Sequence, residues 1–250
     1  MRSALAQVDW RQPWFAPYRE LGEALTRDAA QGAGLAAALN ARRPALAPEF
    51  SAAQEQGAEP YESFVARTSR VPTRDNLHDF FNALVWLRFP ALKRVLNRAH
   101  AAEIERSGVA PTRGAVRDGL TLFDENGLLL HAPATLTLAL TRRDWRELFI
   151  TQRDLWREAR FTVIGHALLE KLLAPRKAIT AHVWLGDAEA GAAPAGLATP
   201  PFATAYSTLP VLGIPGWWPA NEDPAFYDDA AVFRPAGSHR STGSARPCRS

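Results

Sequence analysis

Two histidines set the chemical question. His78 sits in the run Arg74-Asp-Asn-Leu-His-Asp-Phe-Phe-Asn-Ala-Leu-Val-Trp86, and His166 in Gly165-His-Ala-Leu-Leu-Glu-Lys171. At about 100° per residue, Leu77, Phe80, Phe81, Leu84 and Val85 fall on one side of a helix. Asp75, His78, Asp79, Asn82 and Trp86 fall on the other. An ordinary solvated face is built from Lys, Glu, Gln and Arg. Short hydrogen-bonding groups beside a large ring point instead to an ordered, partly buried surface. Histidine next to carboxylates suits a general base or a metal ligand. His166 and Glu170 are four apart, on one helix face, which suits a His–Glu pair or two ligands of one metal. The candidate site is therefore His78, Asp79, Asn82, His166 and Glu170. A bland reading stands beside each half of it. The first stripe also fits a buried polar network that docks another segment, and the second fits a surface pair.

Other acids carry less. Asp124 and Glu125 precede Asn126-Gly127 and read as hairpin-turn residues. Asp118 is placed to approach a site from the sheet side. Glu222, Asp223, Asp228 and Asp229 cluster without the alternation or the central glycine of a calcium loop. The absences are more specific. The chain has no phosphate-binding Gly-x-x-x-x-Gly-Lys, no dinucleotide Gly-x-Gly-x-x-Gly and no Gly-x-Ser-x-Gly elbow. Its one cysteine, Cys248, excludes a disulfide framework and a cysteine-based zinc site. No cofactor, metal or partner is named by these residues.

The elements that must position this chemistry follow from periodicity and punctuation. Residues 1–17, with Trp10, Pro13, Trp14 and Pro17, read as an extended arm on the core. Helices are expected over about 18–26 and in the Ala-rich stretch to Asn40. The helix after Pro72 is expected to be capped by Thr73 or Asp75, and a second one runs from Ala91 to Arg106, stopped by Gly108. Leu120–Phe123 and Leu128–His131 flank Asn-Gly and read as a β-hairpin. Helices are expected over 133–141, 151–160 and 161–173, a strand over 179–185 and a loop over 186–208. The aromatic stretch 209–235 reads as an extended strap, and the Ser/Gly/Arg-rich residues 237–250 as a disordered tail. The fold class is α+β: mainly helical, with a small antiparallel sheet built from the 120–131 hairpin and the 179–185 strand, wrapped by extended terminal segments. Residues 1–236 form one domain in this reading.

With 47% hydrophobic residues and a net charge of +3, the chain has ample core and no concentrated basic patch. Nucleic acid is thus a poor partner. No apolar run approaches the length of a membrane span. The start of the chain lacks a signal-peptide core, and cysteine is nearly absent, so a cytoplasmic setting is expected.

Several blocks resemble a known family. Val71-Pro-Thr-Arg-Asp-Asn-Leu-His-Asp-Phe-Phe-Asn-Ala-Leu-Val-Trp-Leu-Arg-Phe-Pro90 is similar to the signature of the bacterial domain-of-unknown-function family 3025. Arg117–Gly127, Gly165–Lys171, Leu209–Trp218, Asn221–Asp229 and Val232–Pro235 match its later blocks in order. The resemblance spans about residues 8–236 and implies a bacterial, cytoplasmic protein of one domain. It implies no mechanism. The residues themselves support an enzyme with a His/carboxylate site doing acid–base or metal-assisted hydrolysis. The alternative is a non-catalytic binding or scaffold protein whose polar helix face is structural.

Overall fold

A computed structural model describes residues 1–108, 114–185 and 206–235. In chain order the elements are α1 (Arg2–Leu5), α2 (Arg19–Ala30), α3 (Leu35–Ala41), β1 (Glu49–Ala52), α4 (Tyr61–Thr68), β2 (Arg70–Thr73), α5 (Leu77–Arg88), α6 (Pro90–Ser107), α7 (Ala115–Asn126), β3 (Gly127–His131), α8 (Ala134–Arg142), β4 (Arg160–Val163), α9 (His166–Lys171), β5 (Thr180–Leu185) and β6 (Tyr206–Pro210). The protein is α+β and mainly helical. Among the described residues no helix is long and apolar enough to cross a membrane.

Helix α5 is the structural centre. Its apolar positions Phe80, Phe81, Leu84 and Val85 are fully buried. The opposite side is also largely covered, because Asp79 and Trp86 are buried too. A helix buried nearly all round must be packed by several neighbours, and α3, β2, α6 and α9 all pack on it. Its cap is Asn76, whose side chain accepts from the Asp79 amide, not Thr73 or Asp75. Thr73 instead ends β2, which pairs in parallel with β1.

The N-terminal arm lies on this helix, but it is folded into α1 and a 3-10 turn over Pro13–Tyr18 rather than extended. Trp10 approaches Phe80 and Phe81 at 6.2 and 6.3 Å, and Phe15 stacks on Phe81 at 5.8 Å. The C-terminal segment is a chain of short 3-10 turns. Trp217 packs on Trp14 and Phe161, while Tyr227 and Phe233 pack on Phe149. The segments 10–18 and 211–233 therefore both enter the aromatic core, where large rings contribute most per residue.

The four-stranded sheet runs β4-β3-β5-β6. It is mixed, not antiparallel throughout: β3 pairs with β4 antiparallel and with β5 parallel, and β5 pairs with β6 antiparallel. The expected hairpin is absent. Leu120–Phe123 is helical, with Leu120 and Phe123 buried and Leu122 40% exposed, which is an i, i+3 pattern rather than alternation. Asn126-Gly127 ends a helix instead of turning a hairpin. A Cβ on Gly127 would stand 2.3 Å from the Phe123 carbonyl oxygen, so only glycine lets the chain leave α7 so sharply.

The helix expected over 161–173 is likewise split. Its β-branched start forms β4, and only His166–Lys171 is helical. In place of a helix at 151–160 the chain leaves a π-turn, Glu147–Thr151, makes one 3-10 turn, Arg153–Arg157, and enters β4 at Arg160. The end of the expected loop, 206–208, and the start of the expected strap form the strand Tyr206–Pro210. Residues 186–205 and the expected tail lie outside the described residues, as does the stretch 109–113.

Gly165 joins these parts. A Cβ there would meet the Asn126 Cα and Glu125 carbonyl oxygen, both at 2.5 Å. Those are backbone atoms that cannot turn aside. Gly165→Ala is expected to separate α9 from the end of α7 and to destabilise by about 1–3 kcal/mol, as overpacking of a dense contact does. Urea denaturation measures it; an unchanged midpoint would mean that this approach is not close in solution.

Candidate functional site

Three helix ends converge on one point. His78 lies in the first turn of α5, His166 opens α9, and Asp124 is in the last turn of α7. The last four carbonyls of a helix lack intrahelical partners. That of Asp124 is taken by His166, whose Nδ1 lies 2.7 Å away. A carbonyl can only accept, so this nitrogen carries the proton and His166 Nε2 is the bare one. That Nε2 stands 3.1 Å from His78 Nε2. Glu170, one turn along α9 from His166, reaches back so that its Oε2 is 3.1 Å from His78 Nδ1. The i, i+4 spacing on α9 thus places one group at each nitrogen of the His78 ring.

The pair lies beside a cleft of about 520 Å³, whose lining includes His78, His166, Asp79, Asn82, Tyr61 and Lys93. His78 has 42% of its side chain exposed and His166 only 8%. Burial pushes His166 down to about 4, against the pull of the Asp124 charge, so its imidazole is neutral near pH 7.

The cleft contains a buried ion pair. Lys93 of α6 is 3% exposed and hydrogen-bonds Asp124 Oδ1. Its ammonium also stands 5.4 Å from the Trp86 ring centre, within cation–π range. Burial alone would raise the Asp124 carboxyl, but the charges of Lys93 and His166 and the Lys93 hydrogen bond outweigh it and hold it at about 2. His100, on α6, is pushed down chiefly by burial. Tyr61 is pushed well above the ordinary phenol range by burial. Its hydroxyl oxygen accepts from Asn82 Nδ2 at 2.9 Å and from Trp86 Nε1 at 3.4 Å.

The residues expected from the pattern separate into two groups. His78, His166 and Glu170 are brought together in one continuous line of contacts. Asp79 and Asn82 line the same cleft but are used otherwise. Asp79 accepts from the Arg74 backbone amide at 2.7 Å and from its guanidinium at 2.9 and 3.0 Å, which fixes the entry to α5. Asn82 holds Tyr61. Asp118 is exposed at the start of α7, outside the cleft. The late acids have structural partners: Glu222 with Arg153 and Asp229 with Lys177.

Asp124 and Lys93 escaped the pattern. Asp124 was placed at a hairpin tip by the Asn-Gly signal, although its i−4 and i−1 neighbours, Leu120 and Phe123, already trace a helix. Lys93 carried a compositional signal: it is one of three lysines among 29 basic residues. Among the described residues no group of three or more His, Cys, Asp or Glu side chains is arranged to hold a metal ion.

Comparison with known proteins places the chain in one family. A family model described as "Protein of unknown function (DUF3025)" matches residues 49–202 and 198–237. The chain belongs to that family. No curated protein and no solved structure matches it.

The Lys93–Asp124 pair makes a stability prediction. Removing one member of a buried pair leaves the other charge uncompensated, at about 3–5 kcal/mol. Lys93→Met is expected to cost that much in urea denaturation. The double variant Lys93→Met/Asp124→Leu should cost less than the single change, since it buries no lone charge. Additive losses would show that the two charges do not depend on each other.

Proposed function

We propose that this chain is a hydrolytic enzyme whose reaction centre is the His78–His166 pair. One observation carries the reading. Two imidazoles, each held by a partner on Nδ1, turn their Nε2 atoms toward each other at 3.1 Å beside an open cleft. A network that only docks helices gains from matched donors and acceptors; two ring nitrogens aimed at one point gain only if something sits there. Water is the simplest reactant to activate at such a point.

The roles follow from position. The pair activates a water, whose oxygen attacks an electrophilic carbon or phosphorus of the substrate. As the bond to the leaving group breaks, the proton that the water gives up ends on that leaving group. Glu170 and the Asp124 carbonyl are positioning groups that fix the two rings. Lys93 contributes positive charge in the same cleft. Tyr61 and Asn82, beside the Trp86 ring, form a polar and aromatic wall suited to a small polar substrate. The near absence of cysteine supports a cytoplasmic setting for this enzyme.

The alternative, a non-catalytic binding or scaffold protein, draws on exposed apolar surface. Among the described residues the exposed large hydrophobics are Leu46, Leu122 and Leu138, on three separate parts of the fold. They support no broad docking face.

Turnover of a panel of small esters, amides and phosphoesters tests the proposal. Wild type is expected to hydrolyse at least one class. His78→Asn and His166→Asn should each slow it by about 10²–10⁴-fold, the usual worth of a positioned acid–base group. Folded variants that keep the wild-type rate would remove the pair from the reaction.

A further inference from the structure

We propose that His78 Nε2 and His166 Nε2 together bind one divalent transition-metal ion of the zinc class. The inference deepens the reading above, since it rests on the same pair as the reaction centre.

The first ground is the accounting of protons and lone pairs. His166 Nδ1 must be a donor, because its partner is the Asp124 carbonyl oxygen at 2.7 Å. His78 Nδ1 faces the Glu170 carboxylate at 3.1 Å and is a donor toward it. Two neutral rings so held both present bare Nε2 lone pairs, 3.1 Å apart. That contact repels unless a cation lies between them, either a proton or a metal ion.

The second ground is the direction of those lone pairs. In a straight N–H···N bond, the ring centres are separated by the N···N distance plus the radius of each ring. The centres here are only 4.6 Å apart, with the rings inclined at 75°. That exceeds the 3.1 Å nitrogen separation by less than two ring radii. Both lone-pair axes therefore cannot lie along the N–N line, as a shared proton prefers. A metal ion takes its ligands from a point off that line. Two Zn–N bonds of about 2.0–2.1 Å, opened between a right angle and the tetrahedral angle, separate their nitrogens by roughly 2.8–3.4 Å. The observed 3.1 Å falls inside that span.

The third ground is the surroundings. A metal-bound histidine almost always donates its other ring N–H to a carboxylate or a backbone carbonyl, which sets the tautomer and the ring angle. Glu170 does this for His78 and Asp124 for His166. Around the cleft, Glu62, Asp79, Asp124 and Glu125 outnumber Arg74 and Lys93, so the local charge suits a cation. Two protein ligands, one fewer than an ordinary catalytic zinc site has, leave the remaining positions to water and substrate. Bound water on such an ion ionises far more readily than in bulk.

Isothermal titration of the chelator-treated full chain with ZnCl2, in a Cys248→Ser background, tests the site. One equivalent should bind. His78→Ala and His166→Ala should each abolish or weaken binding by at least about 100-fold. Glu170→Ala, which removes only the outer partner, should weaken it by about 10–100-fold. His182→Ala, away from the cleft, should leave it unchanged. Circular dichroism confirms that each variant is folded, and His78→Gln, at a half-exposed position, serves if His166→Ala is not. A folded wild type that binds no zinc, or binding indifferent to both histidines, overturns the proposal. Zinc binding without turnover of any substrate class would sink the hydrolytic reading alone. Turnover that survives chelation in a protein without zinc would sink the metal site alone.

Discussion

The hydrogen bond from His166 Nδ1 to the Asp124 carbonyl oxygen holds the site together. It joins the start of α9 to the end of α7, satisfies a carbonyl that the helix cannot, and fixes which nitrogen of His166 is bare. The fold is arranged to permit it. Gly127 lets the chain turn out of α7 into the sheet without displacing the last turn. Gly165 lets α9 begin against that turn at backbone contact. Between them, β3 and β4 pair antiparallel, so the two glycines arrive side by side: the Ile164 and Gly165 amides both donate to the Gly127 carbonyl at 2.9 Å. A site that looks like three side chains is thus built on backbone first.

The same connection places charge. The C-terminal end of α7 is the negative end of its dipole, and it meets the N–H of a buried ring rather than a cation. Lys93 takes the Asp124 carboxylate instead. The two functions of Asp124 are therefore separate: its backbone orients His166, and its side chain neutralises a buried ammonium. Substituting the side chain tests only the second.

How much of this was legible beforehand depended on the range of the interaction. Helix α5 and its two faces follow from local period, and so do the placement of His166 and Glu170 on one face of α9 and the stop at Gly108. These are properties of a few neighbouring residues. The sheet departs from the sequence pattern because Asn-Gly has two uses. Between alternating runs it turns a hairpin; after an i, i+3 pair such as Leu120 and Phe123 it ends a helix. The pattern of burial, invisible in one dimension, decides between them. The mixed sheet could not be inferred either, since the parallel pairing of β3 with β5 joins residues more than fifty positions apart. In the site, the histidines and Glu170 stood out as residue types. Lys93 and Asp124 did not, because a lysine in a helix and an aspartate near a glycine are ordinary until both are found under the same roof.

The polar face of α5 now divides along its length. Toward its end, Asn82 and Trp86 serve Tyr61 and the core, and Asp79 is committed to Arg74. Asp79 and Trp86 thus have partners within the protein, while Asn82 gives only its Nδ2 to Tyr61 and leaves its buried Oδ1 without a hydrogen-bond partner. At its start, His78 has a nitrogen that faces another nitrogen. Structural networks end on complementary pairs, and this one ends on two like atoms. The chemistry of the face is therefore concentrated in one ring, held by Glu170 and His166, and the rest of the stripe shapes the entry to α5 and the wall of the cleft beside it.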